Sequence, residues 1–508
     1  MNIHKVCVIG AGISGLTTAK TFIEEGYDVT VFEKQSGLGG VWEKSRTYPK
    51  LTTQNTRDTY CFSDYPMPES YSEFPTAKEM REYLESYASY FGVINQIHLK
   101  TEVTQVYKEV REEGKWIVRI KFEDNQASLK EEEHIFDFVI ICNGTFNVPR
   151  VPSITGKEEF IASGGTILHS SQFTNTSLIQ GKRVVVVGFG KSAADIANLA
   201  AETAKECSLV FRRVMWKIPK RFFNKIIYKD LLMTRFSEIW IPYRKRRGVE
   251  KLLHKFAKPL VWAFWRTNET IVRSQFKLDR VGMVPEVKMD KALTCNGNLA
   301  PDGFYEYINS GKIQAIKSSI TRFLPNGVEL ANGKKINTDV VIFGTGFTQN
   351  ISFLQEKYRD LLMNENGDFR LYRTILNPDV PNLAFIGYNS SFFCPLTSEV
   401  AAWWLLEYIK GNLLLPSPSQ IHQEIDTEFT WIKRNLPKDL PIGTCVLSFS
   451  YHHLEDLIED MGLDLHRKGT KQIQGIMESI NPLAYQKIRQ KLKNRNPQQN
   501  NYVGIPKR

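Results

Sequence analysis

Lys5-Val6-Cys7-Val8-Ile9-Gly10-Ala11-Gly12-Ile13-Ser14-Gly15 opens the chain, and Val184-Val185-Val186-Val187-Gly188-Phe189-Gly190-Lys191-Ser192-Ala193 repeats its pattern in mid-sequence. Each is an apolar run that ends in glycines and passes into a helical pattern. A buried parallel strand delivers the chain to a phosphate-binding turn in this way. The strand after the first turn ends at Glu33, and the strand after the second ends at Arg212-Arg213. A carboxylate at that strand end accepts hydrogen bonds from a ribose diol, whereas an arginine fork suits a ribose 2'-phosphate. The opposite charges predict two dinucleotides in one chain, FAD on the first turn and NADPH on the second.

Working outward, residues 3–9 read as a buried strand, Ile13 to Glu25 as a helix and Tyr27 to Glu33 as the returning strand, which completes a βαβ unit. Gly10, Gly12, Ser14 and Gly15 are then expected at the FAD pyrophosphate, and Glu33 with Lys34 at its ribose end. Glycines in Gly37-Leu38-Gly39-Gly40-Val41-Trp42 let the backbone pass close to a flat ligand, which brings in Gly40, Val41 and Trp42. Gly188, Gly190 and Ser192 are expected to hold the NADPH pyrophosphate. Lys191 and Arg212 are expected to clasp the 2'-phosphate, with Arg213 as the alternative to Arg212.

Further out, residues 76–92 read as an amphipathic helix, and 98–107 and 115–122 as strands. Asp137-Phe138-Val139-Ile140-Ile141-Cys142-Asn143-Gly144 has an echo in Asp339-Val340-Val341-Ile342-Phe343-Gly344-Thr345-Gly346. We read the two as the crossover points where the chain leaves and re-enters the first domain, with Gly144, Thr345 and Gly346 at the cofactors. The predicted fold is α/β, with two Rossmann-like dinucleotide-binding domains. The FAD domain is discontinuous over 1–155 and 335–440, and the NADPH domain over 156–334 is inserted in it. The NADPH domain carries a largely helical basic insertion at about 215–285, and residues 441–508 form a C-terminal helical extension with a polar tail.

Composition fits a soluble globular enzyme, with 42% hydrophobic and 24% charged residues among 508. The net charge of +11 favours anionic partners. Seven scattered cysteines, none in Cys-x-x-Cys spacing, point to reduced thiols in the cytoplasm and away from a flavin disulfide reductase. A buried strand within a few residues of Met1 leaves no room for a signal peptide, and no apolar run reaches the roughly 20 residues of a membrane span. No metal is called for. Residues 205–280 crowd Lys and Arg among Trp216, Trp240, Trp262 and Trp265, and include Arg244-Lys245-Arg246-Arg247. One reading is a solvated helical face with some aromatic residues in the core. A second is peripheral membrane contact, with Trp at the headgroups and cations on anionic lipid. Nucleic acid is not expected as a partner, because no recognition module stands out.

Over roughly residues 4–415 the chain resembles the flavin-containing monooxygenases, a class that also includes Baeyer–Villiger enzymes. The resemblance is carried by the first glycine turn, Gly39-Gly40-Val41-Trp42, Phe62-Ser63-Asp64-Tyr65-Pro66, Asn143-Gly144-Thr145-Phe146, Gly165…His169…Phe173, the second turn, Phe343-Gly344-Thr345-Gly346-Phe347 and Leu371-Tyr372-Arg373. It implies that NADPH reduces the flavin, and that O2 then gives a flavin C4a-hydroperoxide. That species would oxygenate a nucleophilic nitrogen or sulfur of a small molecule. Baeyer–Villiger oxygenation of a ketone and NADPH oxidation with peroxide release are the alternatives. Phe173-Thr174 at the end of the fingerprint leans toward heteroatom oxygenation, while Ser163 replaces the usual leading Phe. The family's flavin-edge Asn falls on Gln54 in ungapped alignment, and on Asn55 after a one-residue slip. Either amide can donate and accept, so both are candidate catalytic residues. Glu399-Val400-Ala401-Ala402-Trp403 lacks the Gln and Arg that the family often shows there. His169 reads as a domain-tethering residue, Cys142 as packing and Asp64 as a turn cap. Partners are a small-molecule substrate and O2, with a second copy of the chain left open.

Overall fold

The computed structural model describes residues 3–109, 114–124, 128–241, 243–246, 248–389, 391–435, 450–463 and 477–495. Two five-stranded parallel sheets organise it. The first has the order Leu383–Phe385, Phe138–Ile141, Lys5–Ile9, Asp28–Phe32, Ile97–His98. The second has the order Ile313–Lys317, Glu206–Phe211, Arg183–Val187, Val340–Phe343, Thr166–His169. Both central strands are continuous apolar runs, as parallel strands covered on both faces require.

The two sheets are built alike. Each glycine-turn strand runs between the strand that follows it and an echo strand, Phe138–Ile141 in one sheet and Val340–Phe343 in the other. Each echo strand is preceded by a three-stranded antiparallel meander. Each is also hooked at its start by an aspartate. Asp137 accepts the Lys5 N–H at 2.8 Å, and Asp339 accepts the Arg183 N–H at 2.8 Å.

This corrects one expectation. Val340–Phe343 is not the point of re-entry into the first domain, and the segment from 335 does not belong there. Its four residues are fully buried, and they form the fourth of the five parallel strands of the second sheet, between Arg183–Val187 and Thr166–His169. The crossing back falls at the following turn. There Val148–Pro149 pairs antiparallel with Phe347–Thr348, the Arg150 N–H donates to the Gly346 carbonyl (3.0 Å), and the Thr345 hydroxyl donates to the Arg150 carbonyl. The two connections thus lie side by side.

Helix Ile13–Ile23 is sandwiched between the first sheet and helix Cys394–Ile409, and Pro395 to Glu407 of the latter are all buried. The insertion is helical, with Gly248–Phe256 and Lys258–Phe276 as its main helices. Trp216, Trp240 and Trp265 belong to the core, whereas Trp262 is 65% exposed. The basic run turns inward. Arg244 (3.4 Å) and Lys245 both bind Glu424 on helix Pro418–Asn435, and Arg247 lies outside the described residues. From the C-terminal extension, helix Ser450–Asp460 clamps the insertion. His452 sits 3.1 Å from Glu238 and 3.0 Å from Glu250. Burial alone would lower its pKa, but the two carboxylates push it up to about 9. Arg373 reaches Asp456 (2.9 Å) and Asp460 (2.7 Å) of the same helix. The polar run Asn496-Pro497-Gln498-Gln499-Asn500-Asn501 lies outside the described residues. Among them, no helix is long and apolar enough to cross a membrane.

Candidate functional site

The two glycine turns face one cleft of about 1680 Å3. That exceeds the roughly 300–1,000 Å3 of a single drug-sized pocket, so the cleft has room for more than one ligand. Helices Ile13–Ile23 and Lys191–Thr203 begin at its walls, and their N-caps, Gly12 and Gly190, are extended and offer no side-chain cap. The first-turn amides of both helices therefore need an outside acceptor, which a pyrophosphate supplies while also meeting the positive end of the helix dipole. Gly10 (φ +105°) leans on the end of one echo strand, where a methyl group would lie 2.7 Å from the Cys142 carbonyl oxygen. Gly188 (φ +125°) leans on the other, 2.4 Å from that of Gly344. Only glycine fits either place.

Around the first turn, Gly10, Gly12 and Ser14 line the cleft, while Gly15 lies in the first turn of helix Ile13–Ile23 and does not line it. The buried Glu33 carboxylate accepts the N–H groups of Ala11 (2.8 Å) and Gln35 (2.8 Å), which fixes it beside the turn at the end of its strand. Lys34 is exposed at the rim, and Gly40, Val41 and Trp42 form the adjoining wall. Around the second turn, Gly188, Gly190, Lys191, Ser192, Arg212 and Arg213 line the cleft, and both arginines are exposed. Lys191 is paired with Asp195, whose Oδ2 also accepts the Tyr48 hydroxyl at 2.7 Å. A 2'-phosphate would compete with Asp195 for the lysine. Gly144, Thr345 and Gly346 line the cleft where the two connections pair.

His169 uses both ring nitrogens within the protein. Nε2 donates to the Gly346 carbonyl at 2.9 Å, and Nδ1 accepts the Ser171 N–H at 3.2 Å. Burial holds its pKa below the ordinary histidine value. The ring binds the strand end to the crossing turn and has no nitrogen to spare for proton transfer.

Gln54 and Asn55 both line the cleft. Gln54 Oε1 accepts the Leu299 N–H at 2.9 Å, and its own carbonyl accepts the Tyr228 hydroxyl. Asn55 is buried, with Nδ2 3.4 Å from the Met233 sulfur. Glu399, in the stretch that departs from the family pattern, sits outside the cleft. It is fully buried and accepts the Ser63 N–H (2.8 Å) and hydroxyl (3.0 Å). Burial first, and Asp64 second, push its pKa up to about 8 against the opposing pull of Lys20.

Lys217 escaped the sequence reading. It is wholly buried beneath the second turn, donating to the Phe189 carbonyl (2.9 Å) and to Asn298 Oδ1 (2.7 Å). Burial pulls its pKa down to about 7, with Asp195 opposing and Lys191 adding to the effect. Its strand, Lys217–Ile218, pairs with Asn298–Leu299, the segment that also holds Gln54. The available signal was a lysine between the apolar neighbours Trp216 and Ile218. It was hidden because the surrounding stretch is basic throughout.

A family model described as flavin-binding monooxygenase-like matches residues 3–438. The chain belongs to this family. It is 29% identical over 524 residues to a probable flavin-containing monooxygenase 1 of Arabidopsis thaliana, covering 96% of each chain. It is 30% identical over 459 residues to human flavin-containing monooxygenase 1, covering 87% of this chain and 79% of the relative. In fold it resembles the S-allyl-L-cysteine S-oxygenase of Allium sativum (TM-score 0.61, 20% identity, 97% of this chain and 95% of the other). It likewise resembles a cyclohexanone monooxygenase (TM-score 0.66, 18% identity, 90% and 97%). The family's two-domain fold and flavin chemistry agree with the two parallel sheets and with the uncapped first turn beside Glu33. FAD and NADPH are the cofactors of this monooxygenase-family chain, and the cleft has room for both.

Proposed function

We propose that this flavin-binding monooxygenase uses NADPH and O2 to oxygenate a nucleophilic nitrogen or sulfur of a small molecule. The observation that carries the reading is a single cleft holding two uncapped helix N-termini, with Glu33 fixed beside one and Arg212 and Arg213 beside the other. Gly10, Gly12, Ser14 and Glu33 would hold FAD, which when bound would supply the chemistry of O2 activation and oxygen transfer, with NADPH as the reductant. One oxygen goes to the substrate and the other to water, with the two electrons coming from NADPH.

The chain's own residues bind, orient and shelter. Gly10 and Gly188 let the backbone come close to the two pyrophosphates. Glu33 holds the FAD ribose, and Lys191 with Arg212 or Arg213 holds the 2'-phosphate. Gln54 is the better placed of the two flavin-edge candidates. Its oxygen is committed to Leu299, which fixes the amide plane and leaves its NH2 group for a ligand in the cleft. Rapid mixing of NADPH-reduced protein with oxygen tests the reading. A flavin intermediate lasting seconds with NADP+ bound is expected. Immediate return to oxidised flavin with stoichiometric peroxide, and no product from any amine, sulfide or ketone, overturns it.

A peripheral membrane contact rests on helix Gly248–Phe256 and the start of the next helix. Val249, Leu252, Phe256, Leu260 and Trp262 are all more than half exposed there, among Lys251, Lys255 and Lys258. Apolar side chains flanked by cations suit the interface of an anionic bilayer.

A further inference from the structure

The second glycine turn rests on a buried cation. Lys217 Nζ donates to the Phe189 carbonyl (2.9 Å), the Gly190 carbonyl (3.4 Å) and Asn298 Oδ1 (2.7 Å), and its side chain is fully buried. Three acceptors match the three N–H groups of an ammonium, whereas a neutral amine would turn its lone pair on one of them. The Nζ also lies 5.1 Å from the centre of the Phe189 ring and 5.6 Å from that of Phe304, within cation–π reach. The first turn is built the other way. There the middle residue, Ala11, gives its N–H to the Glu33 carboxylate (2.8 Å), whereas in the second turn the middle residue, Phe189, accepts from Lys217 at its carbonyl.

A trans peptide points its C=O and its N–H in opposite directions, and the peptide bonds after Phe189 and Gly190 are both trans. With the two carbonyls drawn down onto Lys217, the N–H groups of Gly190 and Lys191 point up, on the side of the cleft that these residues line. They stand at the start of helix Lys191–Thr203, where a phosphate accepts from backbone amides. The other cations by the turn have different stations. Lys191 is paired with Asp195, and Arg212 and Arg213 are exposed at the rim. The three acceptors of Lys217 are uncharged, so no carboxylate bonded to it cancels its charge. In a low-dielectric interior a charge acts with little screening across one layer of peptide. Burial works to discharge the amine and Asp195 opposes it, and an anion above the turn opposes it further.

We infer, on the reading that seats NADPH on the second turn, that Lys217 is a positioning residue for the diphosphate of the nucleotide. It does not touch the ligand, because the turn lies between them. It aims two amides at the diphosphate and supplies a positive charge beneath them, while Arg212 and Arg213 meet the 2'-phosphate at the rim. Every dinucleotide has the diphosphate, so Lys217 adds affinity without choosing between NADP+ and NAD+. The pairing of Lys217–Ile218 with Asn298–Leu299 keeps the ammonium in place under the turn.

The test needs no turnover. FAD-loaded protein is titrated calorimetrically at neutral pH with three ligands: NADP+, ADP-ribose, which has the diphosphate without the 2'-phosphate, and adenosine 2'-phosphate, which has the reverse. Lys217→Met is expected to weaken NADP+ and ADP-ribose about tenfold or more, and to leave adenosine 2'-phosphate binding and FAD content as in the wild type. An equal loss of adenosine 2'-phosphate would mean that the lysine only holds the domain together. Unchanged binding of all three ligands would mean that the charge under the turn has no effect. Either result overturns the inference. If Lys217→Met does not fold, Lys217→Gln, which keeps an N–H donor without the charge, decides by the same comparison. Gly190→Glu tests the seat of the nucleotide itself. A Cβ at Gly190 (φ −70°) meets no atom within 4 Å, so the side chain is accommodated, and its carboxylate would repel a diphosphate on this turn. Wild-type NADP+ binding by Gly190→Glu would sink the placing of the nucleotide on the second turn. Lost binding in Gly190→Glu beside unchanged binding in Lys217→Met would sink only the role of Lys217.

Discussion

Gln54 Oε1 accepts a hydrogen bond from the Leu299 N–H at 2.9 Å, joining the loop at the edge of the first domain to a strand of the insertion. Leu299 lines a smaller second cavity, of about 110 Å3, and Gln54 lines both that cavity and the cleft. One bond therefore ties the wall of the cleft to the wall of the cavity beside it. Replacing Gln54 with Leu leaves the part-buried Leu299 N–H unmatched. We expect a loss of about 1–3 kcal/mol in stability, read by denaturant melts, and more peroxide released per NADPH oxidised. Unchanged coupling of oxygenation to NADPH use would remove Gln54 from the mechanism.

Lys217 predicts a pH dependence whose sign follows from its burial. An unfolded lysine keeps its proton to about pH 10.4, while the folded one gives it up near about 7. Between those limits the unfolded chain binds more protons, so stability rises with pH, by at most about 1.4 kcal/mol per pH unit from this group. Lys217→Met should flatten that slope. Pyrophosphate bound on the turn above favours the charged form, so NADP+ affinity in the wild type should fall as pH rises past neutrality. Calorimetric titration of Lys217→Met with NADP+ should lose that fall. The neighbouring Asp195 and Lys191 remain in the variant and would carry any dependence left over.

Arg212 and Arg213 stand together at the rim, and one of them is expected to take most of the 2'-phosphate. The alanine variant of that residue should weaken NADP+ binding by about 1.5–3 kcal/mol, the range for hydrogen bonds to charged groups, with NAD+ binding unaltered. Equal losses for NAD+ and NADP+ in either variant would mean that the pair acts as a general cationic surface.

Arg373 is buried among Asp456, Asp460 and Glu424. Removing it takes the guanidinium partner from Asp456 and Asp460, while Glu424 keeps Arg244 and Lys245, and Arg373→Ala should cost about 3–5 kcal/mol. Limited proteolysis should then release the segment around helix Ser450–Asp460 before the rest of the chain. Release at the wild-type rate would show that the His452 ion pairs with Glu238 and Glu250 hold that helix without it.

Changing Val249, Leu252 and Phe256 together to Ser tests the membrane contact. Co-sedimentation with anionic phosphatidylserine vesicles should drop, and neutral phosphatidylcholine vesicles should bind neither protein. Equal sedimentation of both proteins with anionic vesicles would locate the contact elsewhere or remove it.

The parts of the fold that the sequence made legible are those where one residue type has one use. Glycines at Gly10 and Gly188, a carboxylate at Glu33 and arginines at 212–213 each sit where their strand ends predict. Val340–Phe343 was misplaced because an apolar parallel strand reads the same in any sheet. Only its pairing partners, far away in the sequence, identify it. Lys217 and the second cavity were not legible for a related reason. Burial of a cation, or of an empty space, is a property of chain segments that meet only after folding, and Tyr451 comes to the cavity wall from beyond Cys394, the last residue of the cleft lining.

Because Val148–Pro149 and Phe347–Thr348 run side by side, the segment that carries the second glycine turn enters and leaves through one doorway. Such a segment is a natural cassette. It can be exchanged for a relative's at that doorway without opening the first sheet. The seams that the transplant will have to match include Gln54 with Leu299, Tyr48 with Asp195, Arg244 and Lys245 with Glu424, and His452 with its two carboxylates. A chimera that keeps these contacts should change nucleotide preference and leave flavin binding intact.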